Sequence, residues 1–286
     1  MEDTHFGLEN RRDAGCIQEI MTRLCSLYSG SSGNSIYVGS ERTHILVDIG
    51  MSAKKITEAL NEIAISPDDI DAILITHEHS DHIAGLGVFL RKYGIPVYGT
   101  KKTLEAVRSY SNLGKVDFSL FHDIEPEESF AIKDLWAKPV STWHDAADPV
   151  CYTLTDGTKK VSIATDLGDY DEHIVDSLSG ADAMLIEANH DIRMLEVGPY
   201  PYPLKQRILS RHGHLSNERG GQLIRALLND HLKGIYLGHL SKENNYPELA
   251  MEAVKAELFG NPYSNDCRDF NLSVADRNKC SMVIEC

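Results

Sequence analysis

The sequence predicts an α/β (α+β) chain in which two sheets pack together with helices outside. Three observations carry that prediction. Short apolar runs with alternating β-branched and aromatic residues recur along the chain. Twice, strand-rich sequence gives way to alternating strands and helices. The third is bulk: 286 residues, 42% hydrophobic and 25% charged, suffice for one large domain or two small ones.

In the first half, 22–29 (TRLCSLYS), 35–40 (SIYVGS) and 43–50 (THILVDIG) read as strands separated by small-residue turns. Ile56, Ala59, Leu60 and Ile63 fall at helical spacing and predict a helix over 52–63. A short buried strand at 71–76 (DAILIT), a helix over 85–94, a strand at 95–100 and a helix over 103–112 follow. In the second half, strands are expected at 136–143, 150–156, 159–166 and 183–189, with a helix near 171–180. Helices over 218–232 and 246–260 flank a strand at 234–240, and 280–286 reads as a final strand. Residues 1–20 carry little periodicity and Met21 stands before the first convincing strand. The expected organisation is a flexible N-terminal extension, 1–20, and one domain, 21–286.

The formal net charge of -15 favours solubility and argues against broad coating of nucleic acid or anionic membrane, although it permits a local basic patch. No stretch approaches about 18 uninterrupted apolar residues, and the start lacks a basic-then-apolar export pattern, so a cytoplasmic protein without a membrane span is expected. Six cysteines with no C-x-x-C pair signal neither a zinc ribbon nor a thioredoxin motif and read as reduced thiols.

The stretch LITHEHSDHIAG, 74–85, is the chemical centre of the sequence. His77, His79, Asp81 and His82 form H-x-H-x-D-H in a turn directly after a buried strand. Imidazoles and a carboxylate are donors that zinc, manganese or iron accept, and a tight turn can divide them between two adjacent ions. A solvated polar turn would not concentrate four such groups in six residues at a strand exit. A two-metal site needs further donors, and three candidates stand at later strand ends: His144, Asp166 and His239. Singly, each has an ordinary explanation as a turn histidine, an N-cap aspartate or a core histidine; together they supply what the first motif lacks.

With ILITHEHSDH, His144, IATDLG and LGHL in this order, the chain from Thr22 onward resembles the metallo-β-lactamase-fold hydrolases. The resemblance implies a four-layer αβ/βα sandwich with a binuclear centre at one edge. By that resemblance His77, His79 and His144 would hold one divalent metal ion, Asp81, His82 and His239 the other, and Asp166 would bridge them. SGSSGNS, LIEANHD and GHLSN are similar to the YycJ/WalJ-like subgroup, whose members are considered nucleases. Two such ions about 3.5–4 Å apart can hold a bridging hydroxide and polarise a scissile bond. Asp81 would both ligate and orient that water, which makes it a candidate catalytic residue.

Other stretches carry supporting roles. His214 and Ser216 sit where a helix is expected to begin, a position that favours an anion such as phosphate, with plain capping by Ser216 as the even alternative. His214 is the second candidate catalytic residue. Glu187, Asn189 and His190 in LIEANHD follow a buried strand and could support the metal ligands from behind. SGSSGNS lacks the lysine and spacing of a P-loop and reads as a tight hairpin loop from which Asn34 could reach substrate.

The functional expectation is a binuclear-metal-dependent phosphodiesterase acting on nucleic acid, a DNA exonuclease in the sharpest form. The alternative is a thioesterase or lactonase on a small metabolite; a binding protein that has lost turnover would have no need of seven metal donors. Against the known members of the resembled family, the chain has His79 where flavodiiron proteins carry glutamate. It is too short between Asp166 and His239 for a β-CASP insertion, and it lacks a glycine-rich basic arm. Metal identity, DNA against RNA, and oligomeric state stay open.

Overall fold

Interior strands here carry apolar side chains at successive positions, and the two-residue period of a strand sends them to opposite faces. In the computed structural model, which describes residues 21–260 and 270–286, this sorting builds three hydrophobic cores from two sheets. The expected extension over 1–20 lies outside the described residues.

The first sheet begins as an antiparallel meander of β1 (Arg23–Tyr28), β2 (Ser35–Gly39) and β3 (His44–Val47). Helix α1 (Ala53–Glu62) then crosses to β4 (Ala72–Leu74), parallel to β3. After α2 (Ser80–Ile83) and α3 (Leu86–Tyr93), the parallel run continues through β5 (Val97–Thr100), α4 (Lys101–Arg108) and β6 (Phe121–Ile124). The second sheet starts antiparallel with β7 (Phe130–Ile132), β8 (Leu135–Ser141), β9 (Val150–Thr155) and β10 (Lys160–Ala164). It continues parallel through α5 (Glu172–Leu178), β11 (Ala183–Glu187), α6 (Ile192–Val197), α7 (Tyr202–Ile208), α8 (Asn217–Leu227), β12 (Gly234–Gly238), α9 (Pro247–Leu258) and β13 (Asn271–Val274). Finally β14 (Ile284–Glu285) returns to pair with β1. The strand orders are β14-β1-β2-β3-β4-β5-β6 and β13-β12-β11-β10-β9-β8-β7.

Between the sheets, Ile36, Val38, Ile45 and Val47 meet Leu154, Val161, Ile163 and Leu185. Their strand neighbours Tyr37, Leu46 and Ile73 face outward onto Ile56, Leu60 and Phe89 of α1 and α3. On the far side, Met184, Ile186 and Ile235 pack on Ile174, Leu223 and Val254 of α5, α8 and α9. These side chains are almost wholly buried, and each contributes roughly 1.5–3 kcal/mol of burial free energy. The four layers are those of the expected αβ/βα sandwich.

The differences from the sequence reading fall on short elements. A single helical turn, α2, closes the histidine motif, because Ala84 N bonds back to Ser80 O. Strands β6, β7 and β13, and helices α6 and α7, occupy sequence in which no regular element was expected. The final strand contracts from 280–286 to β14, and the helix expected over 218–232 ends at Leu227. Helix α4 starts at Lys101, two residues before the expected 103.

Chain direction places the site. β3 and β4 run parallel, as do β10, β11 and β12, while β8 is antiparallel to β9 and therefore parallel to β10. All six exit at one edge. The two halves are tied there by Val150 N donating to Thr76 O at 3.0 Å and Tyr152 Oη to Ile75 O at 2.9 Å. The β1–β2 loop closes the same edge, with Asn34 N donating to Asp81 O at 2.8 Å.

Gly50 shows how tight this edge is: a Cβ there would stand 1.8 Å from Asp81 O and 2.5 Å from Asn34 N, both backbone atoms. Gly50→Ala is expected to destabilise the protein by at least about 2 kcal/mol through overpacking, read as a lowered urea midpoint with unchanged m.

Candidate metal centre

Four of these strand exits, those of β4, β8, β10 and β12, bring the seven expected donors to one place. The donor atoms of His77, His79 and His144 lie within 4.8 Å of one another, and the same holds for Asp81, His82 and His239. His77, His82 and Asp166 form a third such group, and Asp166, Glu187, His214 and His239 a fourth. Asp166 and His239 leave their strands with φ of 55° and 56°, in the left-handed region that turns the side chain inward at a cost in backbone energy.

Partners behind each ring decide which nitrogen faces the centre. His144 Nδ1 donates to Gly213 O at 3.0 Å, and His79 Nε2 to Asp145 O at 3.2 Å, which leaves His144 Nε2 and His79 Nδ1 facing each other at 3.3 Å. His77 Nδ1 lies 3.0 Å from Thr76 Oγ1, while its Nε2 is buried without a hydrogen-bond partner. A buried imidazole nitrogen left bare among two others is what a cation fits. His82 Nδ1 donates to Asp48 Oδ2 at 2.7 Å and turns Nε2 toward Asp166 Oδ2 at 2.9 Å, which is close contact without hydrogen-bond geometry. His239 Nδ1 donates to Glu187 Oε1 at 2.9 Å, and its Nε2 lies 3.4 Å from Asp81 Oδ2. These donors fit divalent metal ions.

Electrostatics agree. Burial pushes the His77 imidazole well below its ordinary pKa, reinforced by His82, so the ring is neutral and free to ligate. Burial would lower His82 too, but the Asp166 and Asp48 carboxylates overcome it and hold that ring well above the ordinary value. His239 is likewise raised against burial, to about 10, chiefly by Asp166, Asp81 and Glu187. Burial would raise Asp166, yet His239 and His82 keep it well below the usual carboxylate range. Without metal, imidazolium protons stand in for positive charge beside these acids.

Glu187, Asn189 and His190 lie behind the donors. Glu187 is fully buried; its Oε1 takes bonds from His239 and from His214 Nδ1, both at 2.9 Å, and its Oε2 accepts from Leu167 N and Leu215 N at 2.9 and 3.1 Å. Four donors offset the burial that would otherwise raise its pKa, which is lowered to about 2. Asn189 Nδ2 donates to His239 O at 2.8 Å, and His190 Nδ1 reaches Asn189 Oδ1 at 3.3 Å. Asn34 is buried beneath the donors, its Nδ2 3.4 Å from Asp81 Oδ2 and 3.1 Å from His82 Nε2. Ser216 Oγ accepts from Arg219 N at 3.2 Å as the N-cap of α8, the capping alternative. His214 and Ser216 nonetheless line one cavity of about 280 Å³ with Arg211 and Arg219.

Several residues escaped the sequence reading. Asp48, at the exit of β3 with φ of 63°, accepts from Thr76 N and Oγ1 at 2.9 and 2.7 Å besides orienting His82. An acid ending the apolar run HILVD was the available signal. Tyr200, Leu204, Arg207 and Ile208 from the α6–α7 region line a second cavity of about 220 Å³, together with His79, Asp81, Asp166, His214 and His239. Arg207 pairs with Asp145 through both Nε and Nη2, and this ion pair straps α7 across the site. No periodic signal marked that segment.

A two-sheet sandwich with a histidine and aspartate cluster at one edge defines a metallo-hydrolase, and residues 43–235 match the beta-lactamase superfamily domain. The chain belongs to that superfamily. Within it, the chain is 47% identical over 242 residues to exodeoxyribonuclease WalJ of Streptococcus pneumoniae, across 85% of this chain and 90% of that protein. It is 38% identical over 232 residues to exodeoxyribonuclease YycJ of Bacillus anthracis, across 81% and 87%. The metallo-beta-lactamase fold protein YhfI of Bacillus subtilis shares the fold at TM-score 0.68 and 17% identity, across 94% of this chain and all of that one. No helix among the described residues is long and apolar enough to cross a membrane.

Two predictions follow from the geometry. Asp48→Asn, which replaces the carboxylate behind His82 with a neutral amide, is expected to weaken metal binding about 10–100-fold in a chelator competition. Because His239 stays protonated below about 10 without metal, an ion that takes its Nε2 must displace a proton. Metal affinity should therefore rise with pH and fall in acid, and adding metal to weakly buffered protein at neutral pH should release protons.

Proposed function

We propose that residues 21–286 form one catalytic domain, a nuclease that uses two divalent ions to hydrolyse phosphodiester bonds of DNA from an end. The observation that carries this reading is the convergence of seven candidate metal donors, four of which, His79, Asp81, Asp166 and His239, line a cavity of about 220 Å³. The substrate class is supported by the two relatives that match over most of the chain, both named exodeoxyribonucleases. The thioesterase or lactonase alternative is not favoured by relatives of that extent. A DNA substrate also favours the cytoplasm as the place of action.

In this reading His77, His79 and His144 hold one ion, Asp81, His82 and His239 the other, and Asp166, which shares donor groups with both sets, lies between them. When bound, the pair supplies Lewis acidity toward the phosphoryl oxygens and activates water at neutral pH. Zinc, manganese and iron all suit this donor set.

The remaining work falls to the chain. Asp81, with its side chain 22% exposed, is the least buried carboxylate of the cluster and can accept a hydrogen bond from the attacking water, which fixes its direction. Glu187 and Asp48 keep the rings in one tautomer, so the donor lone pairs stay aimed at the centre. His214, held by Glu187 on the cavity wall, is placed to donate to a phosphoryl or leaving oxygen. Arg207, already bound to Asp145, adds positive charge to the wall where the phosphodiester enters.

End-labelled double-stranded DNA tests the reading. Metal-stripped protein should be inactive and recover with manganese or zinc, and Asp81→Ala should lose at least about 100-fold in kcat. Product lengths should show successive removal from an end; absence of cleavage by protein shown to hold two ions would move the substrate to RNA or a small ester.

A further inference from the structure

A further cavity of about 440 Å³ lies beside the metal centre rather than over it. Its wall includes Ser29, Ser241, Lys242, Tyr246 and Arg277. Ser241 also lines the metal cavity, and the β1–β2 loop contributes Ser29 to one and Ser31 to the other. The two spaces therefore adjoin, with Ser241 as a shared wall.

Arg277 is the unusual feature. Its guanidinium rests on Gly30, where a Cβ would stand 2.7 Å from Nη1, and Gly30 itself holds a φ of 134° that glycine tolerates. Nη2 donates to Leu240 O, next to the metal donor His239, but Nη1 is buried with no hydrogen-bond partner. Among the described residues no carboxylate pairs with Arg277: the adjacent Asp276 is engaged by Lys279 at 3.8 Å and by Asn278 N at 2.8 Å. Leaving a guanidinium nitrogen buried and bare is unfavourable, and an incoming anion relieves that penalty. Lys242, exposed and without an ion-pair partner among the described residues, adds a second cation in a chain of net charge -15. Tyr246, 48% exposed on the same wall, offers an aromatic face.

We propose that this cavity is a subsite for the nucleic-acid strand next to the nucleotide being cleaved, with Arg277 and Lys242 holding a backbone phosphate and Tyr246 stacking a base. An anion, a flanking base and continuity with the reacting centre are the three things a neighbouring nucleotide needs. This explains why SGSSGNS carries glycine at position 30: any side chain there would displace the arginine. The subsite rests on the nuclease reading above.

The test compares Arg277→Ala and Lys242→Ala with wild-type, metal-loaded protein on a DNA oligonucleotide and on bis(para-nitrophenyl) phosphate, a diester too small to reach both cavities. Each variant is expected to lower kcat/KM on DNA about tenfold more than on the small diester, the loss of one charged hydrogen bond. Each should also flatten the dependence of DNA affinity on salt by about one unit of log-log slope. Lys242 is exposed, so its variant decides the matter even where Arg277→Ala fails to fold. Equal losses on both substrates, or an unchanged salt slope in Lys242→Ala, overturn the subsite while leaving the nuclease intact. A wild-type protein that cleaves the small diester but not DNA overturns the nuclease reading and the subsite with it.

Discussion

Buried negative charge is the constraint on which this structure depends. Asp48, Asp166 and Glu187 are 0%, 3% and 0% exposed, and each uncompensated carboxylate at such depth would cost several kcal/mol. They are tolerated because five imidazoles surround them: His82 lies between Asp48 and Asp166, His239 between Asp166 and Glu187, with His77, His144 and His214 beside them. The raised His82 and His239 and the lowered Asp166 and Glu187 are four aspects of one balance. A divalent ion can replace the protons in that balance, so folding and metal loading draw on the same groups.

The fold serves this cluster by giving it rigid supports. Strands that run parallel must exit at a common edge, and three of them leave in the left-handed conformation at Asp48, Asp166 and His239. Aspartate and histidine are among the few residues that tolerate that region, so the positions suit the chemistry and the backbone alike. Behind them the three-core packing of the sheets fixes the strand ends against one another. The β1–β2 loop and Gly50 then bring backbone so close to Asp81 that its loop has little room to shift.

Much of this was legible in the sequence, for physical reasons that differ by element. Interior strands such as β3 and β11 carry unbroken apolar runs, ILV and AMLI, because both faces are covered, and that density distinguishes them from loops. The clustering of the seven candidate donors was readable because each stands just past a strand end. Asp48 was missed because one acid at a strand end is also what an ordinary turn carries; its role depends on His82, brought to it only by folding. Helices α6 and α7 were missed because Pro201 and Pro203 and the run GPYPYP break any periodic pattern, and the ion pair of Arg207 with Asp145 that ties α7 to the site forms only on folding. Strands β6, β7 and β13 are short outer strands with half-exposed residues, too brief for alternation to register. Arg277 lay in sequence assigned to no element, and only the tertiary structure sets its guanidinium on Gly30.

The proposed centre would hold two adjacent divalent ions at these strand exits, with Asp166 between them. Anomalous diffraction from crystals of manganese-loaded protein, collected near the manganese edge, tests it most directly. Two peaks about 3.5–4 Å apart are expected, flanked by His77, His79 and His144 on one side and Asp81, His82 and His239 on the other. A single peak, or peaks remote from Asp166, would contradict it.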